Sequence, residues 1–147
     1  MRSGEISLAK ITRPTFSGVL LRKRLFSMLN KSRGHPAVWV SGPPGAGKTV
    51  FISTYIGNRG LPCIWYQADS GDADVSTFFH YMGLAARKAS PRNKKPLPIF
   101  SLEYLSATEA FARRYFKCLF TSLKPPFCIV IDNYHEISAE SMLHGLL

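Results

Sequence analysis

Apolar positions fall into two kinds of stretch. Ala37-Val38-Trp39-Val40, Pro62-Cys63-Ile64-Trp65-Tyr66 and Phe127-Cys128-Ile129-Val130-Ile131 are short, unbroken apolar runs. Such runs predict strands buried on both faces, as in a parallel sheet. Between them the apolar residues keep a helical period. Residues 19–31 place Leu21, Leu25, Met28 and Leu29 on one face. Phe51 and Tyr55, and Ile52 and Ile56, pair at i,i+4, with Gly57-Asn58 as the expected stop. Asp74 suits an N-cap and precedes Val75, Phe78, Phe79, Met82 and Ala86, whose spacing makes that face core. Ser106-x-x-Glu109 has capping-box spacing. The helix it predicts carries an apolar stripe of Ala112, Tyr115, Phe116, Leu119, Phe120 and Leu123 and cannot pass Pro125-Pro126. Residues 1–18 read as an irregular lead-in and 89–99 as a Pro-rich basic loop. Strands alternating with helices predict an α/β fold with a mainly parallel sheet and helices on both faces.

Composition narrows the class. At 147 residues and 46% hydrophobic the chain can bury a real core, which excludes a disordered chain. Residues 1–35 are expected to form a lead-in segment and helix, and 36–147 the domain that follows. No apolar run approaches the ~20 residues of a membrane span, and Met1-Arg2-Ser3-Gly4-Glu5 begins no secretion signal. The expectation is a cytoplasmic chain without a membrane partner. Cys63, Cys118 and Cys128 lack metal-ligand spacing and read as buried, reduced thiols. The net charge of +10 favours polyanions in general, yet the basic residues lie in scattered short clusters, with no recognition-helix or RNA-reading aromatic pattern.

The chemistry sits after the first apolar run. Gly42-Pro43-Pro44-Gly45-Ala46-Gly47-Lys48-Thr49 reads G-x-x-x-x-G-K-[ST], the Walker A phosphate-binding loop. Backbone N–H groups of such a loop cradle phosphate oxygens, the Lys reaches the β- and γ-phosphates, and the following hydroxyl binds Mg²⁺. Gly42, Pro43, Pro44, Gly45, Ala46, Gly47, Lys48, Thr49 and Val50 are therefore the candidate nucleotide-binding residues. The last strand ends in Asp132, as a Walker B strand does, where a carboxylate can help hold Mg²⁺. Thr49 and Asp132 are thus the candidate metal ligands.

Four segments together resemble the nucleotide-binding module of STAND-type ATPases, in particular the maltose-regulon activator branch of LuxR-type transcription regulators. They are Lys10-Ile11-Thr12-Arg13-Pro14 with Leu21-Arg22-Lys23-Arg24-Leu25, then Val40 to Thr49, then Ile64-Trp65-Tyr66-Gln67-Ala68-Asp69-Ser70-Gly71-Asp72, and Ile129 to Ile137 with its Asp132-Asn133-Tyr134-His135 core. The resemblance covers nearly the whole chain, and the D-x-Y-H tail is its most specific part. It implies a P-loop NTPase three-layer sandwich, ATP as the base preference, Mg²⁺ as cofactor, and Arg13 and Arg22 near the adenine or ribose. It also implies that the chain is truncated after the Walker B strand. Further regulator domains or a partner chain would supply the rest, and DNA would be contacted only indirectly. Asn133 stands where the family usually has a second Asp, and an amide cannot act as a general base.

The leading expectation is therefore an Mg·ATP-binding switch module with weak or absent hydrolysis. In a hydrolase reading Lys48, Asp132 and Glu136 form the candidate catalytic set; Glu136 and His135 are the local candidates to orient the attacking water, and the structural reading of His135 is a Tyr134–His135 pair that packs the turn. The alternatives are a small-molecule phosphotransferase whose basic loop Arg92–Lys95 closes over phosphates, and a fragment without nucleotide function.

Overall fold

The computed structural model describes residues 9–147. These divide into two compact units: Pro14–Leu61 forms one, and Pro62–Leu147 with the described residues up to Arg13 forms the other.

The larger unit is mixed α/β. Strand β1 (Cys63–Gln67) and strand β2 (Cys128–Asp132) pair in parallel, with Ile64 opposite Ile129 and Gln67 opposite Asp132. Two helices occupy the crossover between them, α3 (Val75–Ala89) and α4 (Thr108–Ser122). Alternation along β1 sends Ile64 and Tyr66 into one core with Phe78, Phe79 and Met82 of α3 and Phe111, Tyr115 and Leu119 of α4. Rings interlock there: Phe79 lies 4.9 Å from Phe111 and 4.7 Å from Tyr115, centroid to centroid. Such pairs add about 0.5–1.5 kcal/mol each beyond the area they bury. Leu143 and Ile137 close the core from the segment after β2.

Helix α3 begins as its sequence predicts. The Asp74 carboxylate accepts the N–H groups of Ser76 and Thr77 at 3.3 and 3.2 Å. Helix α4 does not use the Ser106 box. Its N-cap is Ala107, without a side-chain cap, and the Thr108 hydroxyl donates back to Tyr104 O and Leu105 O. A short 3-10 turn at Leu102–Tyr104 leads into α4, and the helix starts only at Thr108, too late for Ser106 to cap it. The predicted stripe is narrowed too. Phe111 joins Ala112, Tyr115 and Leu119 in the core, while Phe120 is exposed and stacks only on Phe116, at 6.1 Å.

The smaller unit holds α1 (Lys23–Ser32) and α2 (Lys48–Arg59). Phe26 is the buried residue of α1, against Phe51 (5.9 Å) and Tyr55 (5.2 Å) of α2. Leu21 and Met28, expected on the apolar face, are exposed. The aromatic partners on α2 select the face that carries Phe26 instead. The Tyr55 hydroxyl donates to Asn30 Oδ1 at 2.6 Å and fixes the same pair of helices. Helix α2 passes through Gly57-Asn58 and stops at Gly60, which takes the left-handed C-cap conformation at φ +59°.

The predicted first strand is not formed. Residues 37–40 have no β-ladder partner among the described residues, and Val38 and Trp39 are exposed. An apolar run becomes a strand only when another strand satisfies its N–H and C=O groups. Among the described residues no helix is long and apolar enough to cross a membrane.

Candidate functional site

The glycine loop is built from backbone conformations that glycine permits. Gly45 and Gly47 both sit at φ +78°, where an L side chain is strained by roughly 1–2 kcal/mol. A turn closes between them and the prolines, Ala46 N–H donating to Pro43 O at 3.2 Å. A Cβ on Gly42 would stand 3.4 Å from Ala46 Cβ, so the loop's two limbs approach closely at that point.

Helix α2 starts directly from this loop. Gly47 is its N-cap, no side chain caps it, and its first turn carries no acid. The first N–H groups of any helix lack intrahelical acceptors, and the helix dipole concentrates positive potential there. Most helices answer this with Ser, Thr, Asp or Asn; α2 presents glycine and Lys48. The Lys48 ammonium donates to Gly42 O at 2.8 Å and Pro43 O at 3.1 Å, folding back over the loop that precedes it. Thr49 and Val50 follow in the same first turn. The donor set of this loop fits phosphate: backbone N–H groups, an ammonium and the Thr49 hydroxyl.

In the larger unit Asp132 ends β2. Its carboxylate accepts the Asn133 N–H at 3.0 Å, and its carbonyl accepts the Ala68 N–H at 2.8 Å. Asn133 takes the left-handed conformation at φ +55°, which Asn and Asp tolerate better than other side chains. The backbone thus accounts for a short polar residue at 133. Glu136 and His135 are exposed and form an ion pair at 3.2 Å when the imidazole is protonated. Tyr134 is held by His144. The Tyr134 hydroxyl lies 2.6 Å from His144 Nδ1, and His144 Nε2 lies 2.8 Å from Ser138 O. A carbonyl only accepts, so Nε2 carries the proton and Nδ1 accepts from the tyrosine. Burial raises the Tyr134 phenol above its ordinary pKa.

The sequence reading missed a buried charge cluster. Lys10 Nζ donates to Asp69 Oδ2 at 2.7 Å and Asp72 Oδ2 at 2.8 Å, with the Lys10 side chain 7% exposed and that of Asp72 fully buried. Asp72 also accepts from the Tyr66 hydroxyl and from Asp69 N–H, completing a capping box on the turn Ser70–Ala73. Burial, then the hydrogen bond to the Asp72 carboxylate, pushes the Tyr66 phenol well above its usual range. Lys10 Nζ also sits over the Tyr66 ring at 5.0 Å. The signal was present in Asp69-x-x-Asp72, the spacing of a capping box. These acids serve the fold, tying the lead-in lysine to the loop after β1. Among the described residues no group of three or more His, Cys, Asp or Glu could hold a metal ion.

The cysteines are free, as expected, but half-buried. Cys63 and Cys128 face each other in the ladder, and the hydrogen bond between them, then burial, raises the Cys63 thiol far above its ordinary pKa.

The chain is 26% identical over 133 residues to the HTH-type transcriptional regulator MalT of Klebsiella pneumoniae, and equally to MalT of Cronobacter sakazakii. The match covers 88% of this chain and 14% of each relative, so the chain spans about one seventh of the curated relatives it matches. It is thus similar to a MalT-like STAND module. The family model described as nephrocystin 3, N-terminal, matches residues 15–147, and with nearly all of its length inside that match the chain belongs to this family.

Proposed function

We propose that this chain binds Mg·ATP at the Gly42–Val50 loop and works as the nucleotide switch of a STAND/LuxR-type transcriptional regulator. The observation that carries the reading is the start of α2: two left-handed glycines, no capping side chain, no acid in the first turn, and Lys48 folded against the loop. In this reading the glycine loop and the parallel pair β1–β2 are parts of a P-loop three-layer sandwich. Lys48 leaves Gly42 O and Pro43 O to neutralise the β- and γ-phosphates. The Gly47–Thr49 amides bind phosphate oxygens, and the Thr49 hydroxyl and Asp132 carboxylate serve as Mg²⁺ ligands. When bound, the metal would supply charge neutralisation to the phosphates.

Turnover is slow or absent in this proposal. Asn133 can donate and accept hydrogen bonds but cannot take a proton from water, and Glu136 is engaged with His135 on the surface. The nucleotide state then biases a two-state arrangement with further regulator segments or a partner chain. DNA is reached only through those, and the setting is cytoplasmic. Family membership and the similarity to MalT support the regulator context.

The test is an equilibrium titration of the chain with Mg·ATP beside Lys48→Ala. A charge-assisted contact is worth about 1.5–3 kcal/mol, so affinity should fall by about 10- to 100-fold. Equal affinities would remove the loop as the site. Asp132→Asn should shift the Mg²⁺ titration while leaving the melting curve in place, and coincident metal titrations would end its assignment to the metal.

A further inference from the structure

One cation outside the motif stands at the loop. A Cβ on Gly47 would meet Arg22 Nη2 at 3.1 Å and Cζ at 3.8 Å, so the guanidinium packs against the α-carbon of the last loop glycine. Its base is anchored. Arg22 is the N-cap residue of α1, its carbonyl accepts the Phe26 N–H at 2.9 Å, and Phe26 is wedged against Phe51 and Tyr55 of α2. The helix that carries the glycine loop is therefore packed against the helix that launches Arg22. The neighbouring Arg24 is directed elsewhere, donating to Met28 Sδ on its own helix.

The placement adds positive potential at the loop. Arg22, Lys48 and the positive end of α2 converge, the first turn holds no acid, and among the described residues no carboxylate forms an ion pair with Arg22. Three positive features in one place repel one another and gain together from a polyphosphate. A guanidinium also offers a planar fork that matches two phosphate oxygens, which an ammonium cannot do.

We propose that Arg22 is a second phosphate-binding cation of the glycine loop, contacting the polyphosphate of the nucleotide beside Lys48 rather than its base or sugar. The inference rests on the Mg·ATP reading above and assigns a residue that the Walker motif does not contain. A methyl on Gly47 would stand 3.1 Å from the guanidinium, so Arg22 would have to give by a few tenths of an ångström.

The experiment compares ATP, ADP and AMP binding by the parent chain, Arg22→Ala, Arg22→Lys, Arg24→Ala and Lys48→Ala, with melting curves to verify folding. Arg22→Ala should lose about 10- to 100-fold for ATP and ADP and much less for AMP. Arg22→Lys should recover only part, because a point charge replaces the fork. Arg24→Ala should bind like the parent. Parental ATP affinity in a folded Arg22→Ala, or an equal loss for AMP and ATP, would overturn the role of Arg22 while Lys48 dependence left the site standing. A parent that binds no Mg·ATP, or does so without Lys48, would overturn the site and the role of Arg22 with it.

Discussion

The two units of this chain solve opposite problems. The larger one buries aromatic rings from two helices and a strand around Phe79, and even its buried charges, Lys10 and Asp72, are paired. The smaller one has a thin core of Phe26, Phe51, Tyr55 and Ile56, and it exposes Val38 and Trp39 just before the loop. Yet the smaller unit carries the left-handed glycines, the helix start without a side-chain cap, and Lys48 and Arg22 at the loop. In the proposed reading packing and chemistry are divided because a phosphate cradle must keep backbone N–H groups for its ligand. A region so built contributes less to stability until an anion arrives.

That contrast can be broken by experiment. Phe79→Ala should have the largest effect, costing about 3–5 kcal/mol in denaturant unfolding, because its ring touches both helices of the larger core. A cost below about 1 kcal/mol would mean that this core is not close-packed. Lys10→Ala comes next, at about 3 kcal/mol, since it strands the fully buried Asp72 carboxylate without its cation. Lys10→Ala together with Asp72→Ala should recover part of that loss; a double variant no better than the single one would dismiss the pair as a coupled unit.

Gly47→Ala sharpens the other side of the comparison. The left-handed conformation makes it destabilising by about 1–2 kcal/mol, and nucleotide affinity should fall further as the new methyl meets Arg22. Wild-type affinity in a folded Gly47→Ala chain would refute the loop geometry. The smallest effect is one of pH. Burial raises the Tyr66 and Tyr115 phenols in the folded larger unit. Their contribution is fully present below the unfolded value of about 10 and is lost as pH rises above it. Urea midpoints should thus decline above pH about 10, and Tyr66→Phe should flatten that decline; identical slopes would show that Tyr66 does not drive it.

Much of this was written in local chemistry. The helical spacing of Phe78, Phe79 and Met82, the Asp74 cap, the apolar runs of β1 and β2, and the Walker-type loop are short-range patterns, legible because periodicity and capping act over a few residues. The failures share one cause. The run 37–40 is as apolar as β1 but has no ladder partner among the described residues, Phe120 has α4 spacing but is exposed, and Leu21 and Met28 lost their face to Phe26. In each case propensity was met and the partner was not.

By itself the sequence determined the α/β alternation, the glycine loop with Lys48, and the Asp at the end of β2, because each depends on residue identity at fixed spacing. Only the tertiary structure decided that Lys10 pairs with Asp69 and Asp72, that His144 meets Tyr134, and that Arg22 lies against Gly47. Lys10 and Asp72 lie 62 positions apart, and no local rule reaches that far. Such contacts form when packing brings distant segments together, and burial then makes an unpaired charge or hydroxyl too costly to leave without its partner.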